Sequence, residues 1–322
     1  MNLLVTGGFG FIGSHFVTEA LSSGHNVTVI DKFTYAANEE NITKDLLSRI
    51  QIHKFDLANL ESCKNFFKGQ DIFDWVVNFA AESHVDRSIN DSIPFVESNV
   101  KGVVNLLEFC RKGNIGKMLQ MSTDEVYGTI ESGEWTEAST INPRSPYSAS
   151  KASAELFCNS YRITHGVKAT ILRCANNFGP NQSVDKFIPK VISSLMENVP
   201  ITVYGNGRNI REWIYVKNTV SLLLAVVENS KIPHNIFNIG GTEMVNLDLV
   251  TMIGMAMNLE PKINFVQDRK GHDFRYSVND SLIKSLIEPK FKNDLYEELK
   301  LTIEWYLANG NWIKKSRKLL SK

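Results

Sequence analysis

Long apolar runs are missing from this 322-residue chain. The longest near a helix, Leu222 to Val227, falls far short of the roughly 18 residues that a membrane span needs. Cysteine is scarce, and Cys63, Cys110, Cys158 and Cys174 stand far apart with no CxxC pair. That spacing offers no zinc-ligand pairing and predicts free thiols in a reducing cytoplasm. The seven histidines form no HxxxH pair, so no metal is expected. Charge of one sign has no surplus either: 35 Lys and Arg face 35 Asp and Glu. A neutral balance leaves no electrostatic footprint for nucleic acid or for an anionic membrane. No basic leader precedes the first strand-like run, so no targeting segment is expected. What is present is a hydrophobic fraction of 43%, ample for a core, in a length that allows one large or two modest domains.

Up to about residue 180, short β-branched runs alternate with longer amphipathic ones. Leu3–Val5, Val27–Ile30, Ile50–Ile52, Trp75–Val77, Met118–Met121 and Ala169–Leu172 read as strands of a parallel sheet covered on both faces. Ile12, Phe16, Val17, Ala20 and Leu21 repeat at helical spacing, and Gly24 stands where that helix should stop. The alternation predicts a doubly wound, Rossmann-type α/β sheet over residues 1–180, with about 213–241 returning to it. Residues 181–322 are expected to form mainly a smaller α/β substrate-binding domain. Within them the texture predicts a helix near 186–197, strands at 201–204 and 210–216, a helix near 217–228 and a strand at 235–239. A further helix, a strand at 262–266 and one terminal helix carrying Trp305 and Trp312 complete the expectation. The basic tail, Lys314, Lys315, Arg317 and Lys318, reads as a solvated helix end.

Glycines 7, 10 and 13 in Gly7-Gly8-Phe9-Gly10-Phe11-Ile12-Gly13 follow a strand and open a helix. The first allows a tight turn, the second a close approach of a pyrophosphate, and the third close packing of helix on strand. The helix start then offers unpaired N–H groups to the phosphates. Asp31 ends the second strand 18 residues past Gly13, where a carboxylate accepts the ribose hydroxyls of NAD and repels the 2′-phosphate of NADP. Asp56 after the third strand and Ala80-Ala81 after the fourth lie where ligands of such sheets sit. Tyr147 and Lys151 are four apart at the start of a helical stretch, so they share a helix face. A nearby ammonium and a positive nicotinamide are expected to draw the phenol's pKa down, so that Tyr147 takes a proton from an alcohol.

With both motifs present, the chain resembles the extended short-chain dehydrogenase/reductase superfamily. Thr123 matches the hydroxyl residue that in that superfamily binds the same alcohol. Thr123-Asp124-Glu125-Val126-Tyr127-Gly128 resembles the nucleotide-sugar 4,6-dehydratases, above all those acting on dTDP-glucose. That resemblance implies a lyase using NAD. After oxidation at C4 of the hexose, Glu125 removes the C5 proton and Asp124 protonates the departing C6 hydroxyl. Hydride then returns to C6, leaving a 4-keto-6-deoxy sugar. The implied cofactor set is Gly7, Gly10, Phe11, Ile12, Gly13, Asp31, Lys32, Thr34, Asp56, Leu57, Ala80, Ala81, Ser83, Asn99, Ser122, Tyr147, Lys151 and Asn177. The implied nucleotide-diphosphate hexose set is Ser83, His84, Arg87, Thr123, Asn176, Lys186, Phe187, Tyr204, Arg211, Asn246, Arg269 and His272.

Three departures bear on the substrate. Glu212 stands where the family usually has Asp, Lys270 where Pro usually precedes Gly-His, and Lys217-Asn218-Thr219 replaces an acidic-Asp-His run. None touches the proton-transfer residues. The base and the hexose stay open, because pocket shape sets them. Two alternatives also stay open. UDP-sugar 4-epimerases and decarboxylases share the Tyr/Lys pair, usually with small or hydroxylic residues where Asp124 and Glu125 stand. A non-catalytic NAD-sensing module would need only the glycine turn and Asp31. A homodimer is expected, with helices at about 95–112 and 147–163 pairing across a twofold axis.

Overall fold

The structure is a computed structural model and describes residues 1–320. Strand β1 (Asn2–Thr6) runs through the glycine turn into α1 (Phe11–Ser22). That helix buries Phe16, Val17, Ala20 and Leu21 and ends just before Gly24, whose φ of +80° suits a residue without Cβ. β2 (Asn26–Asp31) follows, then the short α2 (Lys44–Leu47), β3 (Gln51–Lys54), α3 (Leu60–Phe67) and β4 (Phe73–Asn78). Next come α4 (Val85–Asn90), α5 (Ile93–Phe95), a π-helical turn (Val96–Lys101) and α6 (Gly102–Arg111). β5 (Ile115–Thr123), α7 (Pro146–His165) and β6 (Ala169–Cys174) complete the alternation.

All neighbours in the large sheet are parallel, in the order β10-β6-β5-β4-β1-β2-β3. β2 and β3 lie on one side of β1 and β4 to β6 on the other, so a crevice opens beyond the carboxyl ends of β1 and β4. Two apolar clusters cover the faces: Leu3 and Val5 point into one, Leu4 into the other. That alternation explains why the strands read as continuous apolar runs.

Beyond β6 the chain forms β7 (Asn176–Phe178), α8 (Phe187–Met196), β8 (Ile201–Tyr204), β9 (Ile210–Tyr215) and α9 (Val216–Glu228). α9 packs on α1, and β10 (Ile236–Ile239) pairs with β6, so this segment lies on the large sheet. β11 (Thr242–Val245), α10 (Asn246–Met257), β12 (Ile263–Val266), α11 (Ser281–Leu286), α12 (Leu295–Ala308) and α13 (Gly310–Leu320) follow. β9 holds β7 in parallel and β11 antiparallel, and β12 pairs with β8.

The structure corrects the expected elements at three places. The single terminal helix is two, broken at Asn309-Gly310, which lets Trp305 on α12 and Trp312 on α13 meet edge to face at 5.0 Å. α13 is more than a solvated end: Trp312, Ile313 and Ser316 are buried, while Lys315 pairs with Glu40 and Arg317 with Glu197. The helix expected over 95–112 contains the π-helical turn, which brings Ser98 and Asn99 inward together. Residues 321–322 of the expected second domain lie outside the described residues.

Candidate active site

A trench runs along the carboxyl ends of the large sheet and opens into a cavity of about 670 Å³ between α4, α8, β8, β9 and the 268–276 segment. Its narrow end is lined by Gly7, Gly10, Asp31, Lys32, Thr34, Asp56, Leu57, Ala80 and Ala81. Gly7 has φ +68°, and a Cβ there would lie 2.7 Å from the Ala80 nitrogen; one on Gly13 would lie 2.2 Å from the Gly7 oxygen. Only glycine permits this turn and the close passage of helix over strand. Asp31 is buried, and its two oxygens accept the backbone N–H groups of Phe9 (3.0 Å) and Phe33 (2.8 Å). Burial raises its pKa, and those two bonds oppose the rise. Lys32 donates to Ser98 at 2.6 Å and pairs with Glu82 at 3.4 Å and Asp56 at 3.7 Å.

The middle of the trench, about 320 Å³, is walled by Phe11, Ile12, Gly13, Ala81, Ser83, Ser122, Thr123, Glu125, Tyr147, Lys151, Asn176, Asn177, Lys186 and Phe187, among others. Tyr147 and Lys151 stand on the first turns of α7. Ser145 and Ser148 form a capping box there, with Pro146 at the first helical position and Gly166 in the left-handed region closing the other end. The Tyr147 backbone N–H donates to Ser88 Oγ at 3.1 Å. Lys151 Nζ donates to the Met121 carbonyl at 2.6 Å, and burial lowers its pKa to about 8, against the pull of Glu155. In the chain itself, burial and the charges of Glu125 and Asp124 push the Tyr147 phenol above its ordinary value, with Thr123 opposing. The acidification expected from Lys151 is therefore not a property of the polypeptide alone, because the ammonium is turned to a carbonyl.

β5 carries Thr123 to the sheet's end, where its hydroxyl accepts the Glu125 N–H (3.3 Å) and donates to Asp124 Oδ1 (3.2 Å). The two carboxyls, adjacent in sequence, are layered. Glu125 reaches both the trench and the cavity, whereas Asp124 is 1% exposed and lines neither. Asp124 Oδ2 is buried without a partner, and burial, then the charge of Glu125, raises its pKa to about 7. Burial raises Glu125 too, but Arg211, Arg269 and Lys186 pull it back. Behind this layer a buried network supports the strand ends: Ser122 Oγ donates to Glu155, which pairs with Arg173 (2.6 Å), which donates to the Tyr127 hydroxyl (2.7 Å).

On the cavity side, Ser83, His84, Lys186, Phe187, Tyr204, Arg211, Asn246, Arg269 and His272 line one cavity together. His84 Nε2 lies 3.4 Å from Asp185, Lys186 Nζ donates to the Ser83 carbonyl at 3.2 Å, and Phe187 stacks on Trp213. Burial lowers the pKa of His84 and of His272, the latter paired with Asp268 at 2.6 Å. Two expectations need correction, those for Arg87 and Asn99, and Arg211 keeps only part of its fork for a ligand. Arg87 is exposed, lies over the Tyr35 ring at 3.8 Å and lines none of these walls. The Arg211 fork is spent largely on the carbonyls of Ile210, Asp273 and Phe274. Asn99 is buried and clamps the Glu82 backbone and Ser150, so it holds the β4 loop instead of facing the trench.

The sequence reading missed Trp213, Gln182, Ser183 and Asp185. Among the described residues, Gln182 Oε1, Ser183 Oγ, Asp185 Oδ1, Trp213 Nε1, Asn177 Oδ1 and Asn246 Oδ1 are buried polar atoms without a hydrogen-bond partner, all on residues of these walls. Buried polar groups are ordinarily paired, so their gathering marks a ligand site. Adjacency to Asn176-Asn177 and to Lys186 was the only signal for Gln182, Ser183 and Asp185. The glycine turn, the Asp31 carboxylate and the orphaned amides suit a dinucleotide in the trench.

Comparison with known proteins agrees with this geometry. Residues 3–240 match the NAD dependent epimerase/dehydratase family, and the chain belongs to it. It is 39% identical to a dTDP-glucose 4,6-dehydratase of Actinoplanes sp., over 97% of this chain and 99% of that one. It superposes with a TM-score of 0.93 at 37% identity on DesIV, a dTDP-glucose 4,6-dehydratase from Streptomyces venezuelae with NAD and TYD bound, covering 98% of this chain and 100% of that one. A UDP-glucose 4-epimerase of Thermus thermophilus in complex with NAD matches at a TM-score of 0.88 and 27% identity, over 96% and 100% of the chains.

Proposed function

We infer that the protein is an NAD-dependent lyase that dehydrates dTDP-glucose to its 4-keto-6-deoxy derivative. The observation that carries this reading is the layered carboxyl pair at the end of β5. Asp124 is buried with a pKa of about 7 and an unpartnered oxygen, and Glu125 faces the cavity among cations. Two carboxyls in separated environments are what an acid and a base require. Gly7, Gly13, Asp31 and Asn177 would hold NAD, which when bound would supply the hydride acceptor and donor and a positively charged nicotinamide.

Tyr147 takes the proton of the C4 hydroxyl, with Thr123 as its hydrogen-bonding partner. Lys151 keeps a cation one helical turn away. Glu125 takes the C5 proton, and Asp124 delivers its own to the C6 hydroxyl, which leaves as water. Lys186, Arg269 and the remaining donors of Arg211 supply positive charge for the diphosphate.

The protein acts as a homodimer in the reducing cytoplasm. Leu156, Phe157 and Ile163 on α7 and Ile93 and Val96 beside it are exposed apolar residues, and the four cysteines are free. Sedimentation at micromolar concentration should give a dimer.

The test of function is incubation of the purified protein with dTDP-, UDP-, CDP- and GDP-hexoses, with products read by mass and by NMR of the sugar protons. A dTDP-sugar lighter by one water, with no net NADH, is expected. A product of unchanged mass inverted at C4 would replace the lyase by an epimerase.

A further inference from the structure

Arg269, on the segment after β12, lines the large cavity and there meets a carboxylate from α4. Its Nε donates to Asp86 Oδ1 at 2.5 Å and its Nη2 to Asp86 Oδ2 at 2.9 Å, a side-on bidentate pair. The Tyr204 hydroxyl donates to the same Asp86 Oδ2 at 3.3 Å, and the guanidinium lies over the Tyr204 ring at 4.9 Å. Asp86, Tyr204 and Arg269 all line the cavity. Asp86 sits in the first turn of α4, a helix fixed through Ser88, whose hydroxyl donates to the Val85 carbonyl and accepts the Tyr147 N–H.

A guanidinium presents five N–H donors in a rigid planar fork. Side-on pairing occupies the Nε/Nη2 edge and leaves Nη1 for another acceptor. With one edge gripped and one face packed on a ring, the remaining donors have a fixed direction. We propose that Asp86 is a positioning residue for substrate binding: it aims Arg269 at the diphosphate of the nucleotide sugar, with Tyr204 as the third support. The proposal rests on the nucleotide-sugar reading of the cavity.

Charge alone predicts the reverse sign. Asp86 is an anion beside the site of a dianion, so removing its charge should strengthen binding if Coulomb repulsion dominated. Weaker binding without the carboxylate is therefore diagnostic of aiming. Calorimetric titration with dTDP and steady-state kinetics on dTDP-glucose should be run on the wild-type chain, Asp86→Asn, Asp86→Glu and Arg269→Lys.

Asp86→Asn should raise the Kd for dTDP and the KM by about tenfold or more, as expected for loss of a charged hydrogen-bond partner, with a much smaller change in kcat. Asp86→Glu, which keeps a carboxylate, should recover most of the affinity. Arg269→Lys should not, because an ammonium has no fork to be aimed. An Asp86→Asn protein that binds dTDP as tightly as wild type, or more tightly, overturns the proposal. A wild-type protein that binds no dTDP overturns the nucleotide-sugar reading itself, and the aiming role falls with it.

Discussion

Asp31 and Asp86 show how differently the two ends of the site are built. Asp31 ends a strand, and both its oxygens are held by backbone N–H groups within the same βαβ unit, from Phe9 and Phe33. Asp86 begins a short helix and is held by Arg269 and Tyr204, more than a hundred residues further along the chain. The cofactor end is local and made of backbone, so its geometry is set by glycine positions and strand ends. The substrate end is assembled from loops of separate elements, and side chains orient one another. The glycine turn therefore tolerates few substitutions, while the cavity has freedom to change base or sugar without disturbing the catalytic layer.

The largest effects should fall where the two ends meet. Glu125→Gln is expected to lower turnover by about 10²–10⁴-fold, the range for a general acid–base group, and to suppress solvent deuterium exchange at C5. Asp124→Asn should slow water loss comparably while C5 exchange persists, because its proton goes to C6. Single-turnover mass spectrometry in D₂O reads both. Near wild-type elimination by Glu125→Gln would break the assignment. The pH profile carries the same distinction. Asp124 must be protonated to act, so activity should fall as pH rises through about 7, and loss of the Lys151 ammonium deepens the fall near 8. In Asp124→Asn only the limb near 8 should remain.

A tenfold scale of effect is expected at the cofactor end. Asp31→Ala removes the acceptor of two backbone N–H groups as well as the proposed ribose partner, so the Kd for NAD should rise about tenfold. The gap between NAD and NADP should narrow together with it, read by fluorescence titration. A wild-type protein that binds NADP as tightly as NAD would remove Asp31 from that role.

This contrast also explains what could be read from the chain without its fold. Gly7, Gly10, Gly13 and Asp31 lie within one supersecondary unit, and Tyr147 and Lys151 within one helical turn, so spacing alone places them together. The central strands of the large sheet are apolar on both faces and announce themselves, unlike the exposed edge strand β3. Trp213 and Asp185 carry no motif and become site residues only when β9 pairs with β7 and α8 docks. Arg87 and Arg211 illustrate the converse. The family resemblance implied that both approach the nucleotide sugar, but Arg87 lies over the Tyr35 ring and Arg211 gives part of its fork to three carbonyls, contacts that no local pattern encodes. The layering of Asp124 beneath Glu125 is likewise tertiary, since neighbours in sequence can differ completely in burial.

The smallest expected effect concerns Glu212, the residue that stands where the family usually has Asp. It is buried on β9, and its Oε2 accepts the Val278 N–H at 3.1 Å. Burial, then the charge of Asp124, raises its pKa to about 9 from an ordinary 4.5. The folded chain thus keeps a proton that the unfolded chain gives up. For a carboxyl raised in this way, its contribution to stability is greatest below the unfolded value and falls as pH climbs toward the folded one. Glu212→Gln keeps an acceptor for Val278 and abolishes the titration. Its melting temperature should approach that of wild type near about pH 5 and exceed it increasingly toward pH 9, by about 1.5 °C for each kcal/mol recovered in a chain of this size. Thermal scans across that range measure it. A difference independent of pH would mean that Glu212 is not held neutral in the folded chain.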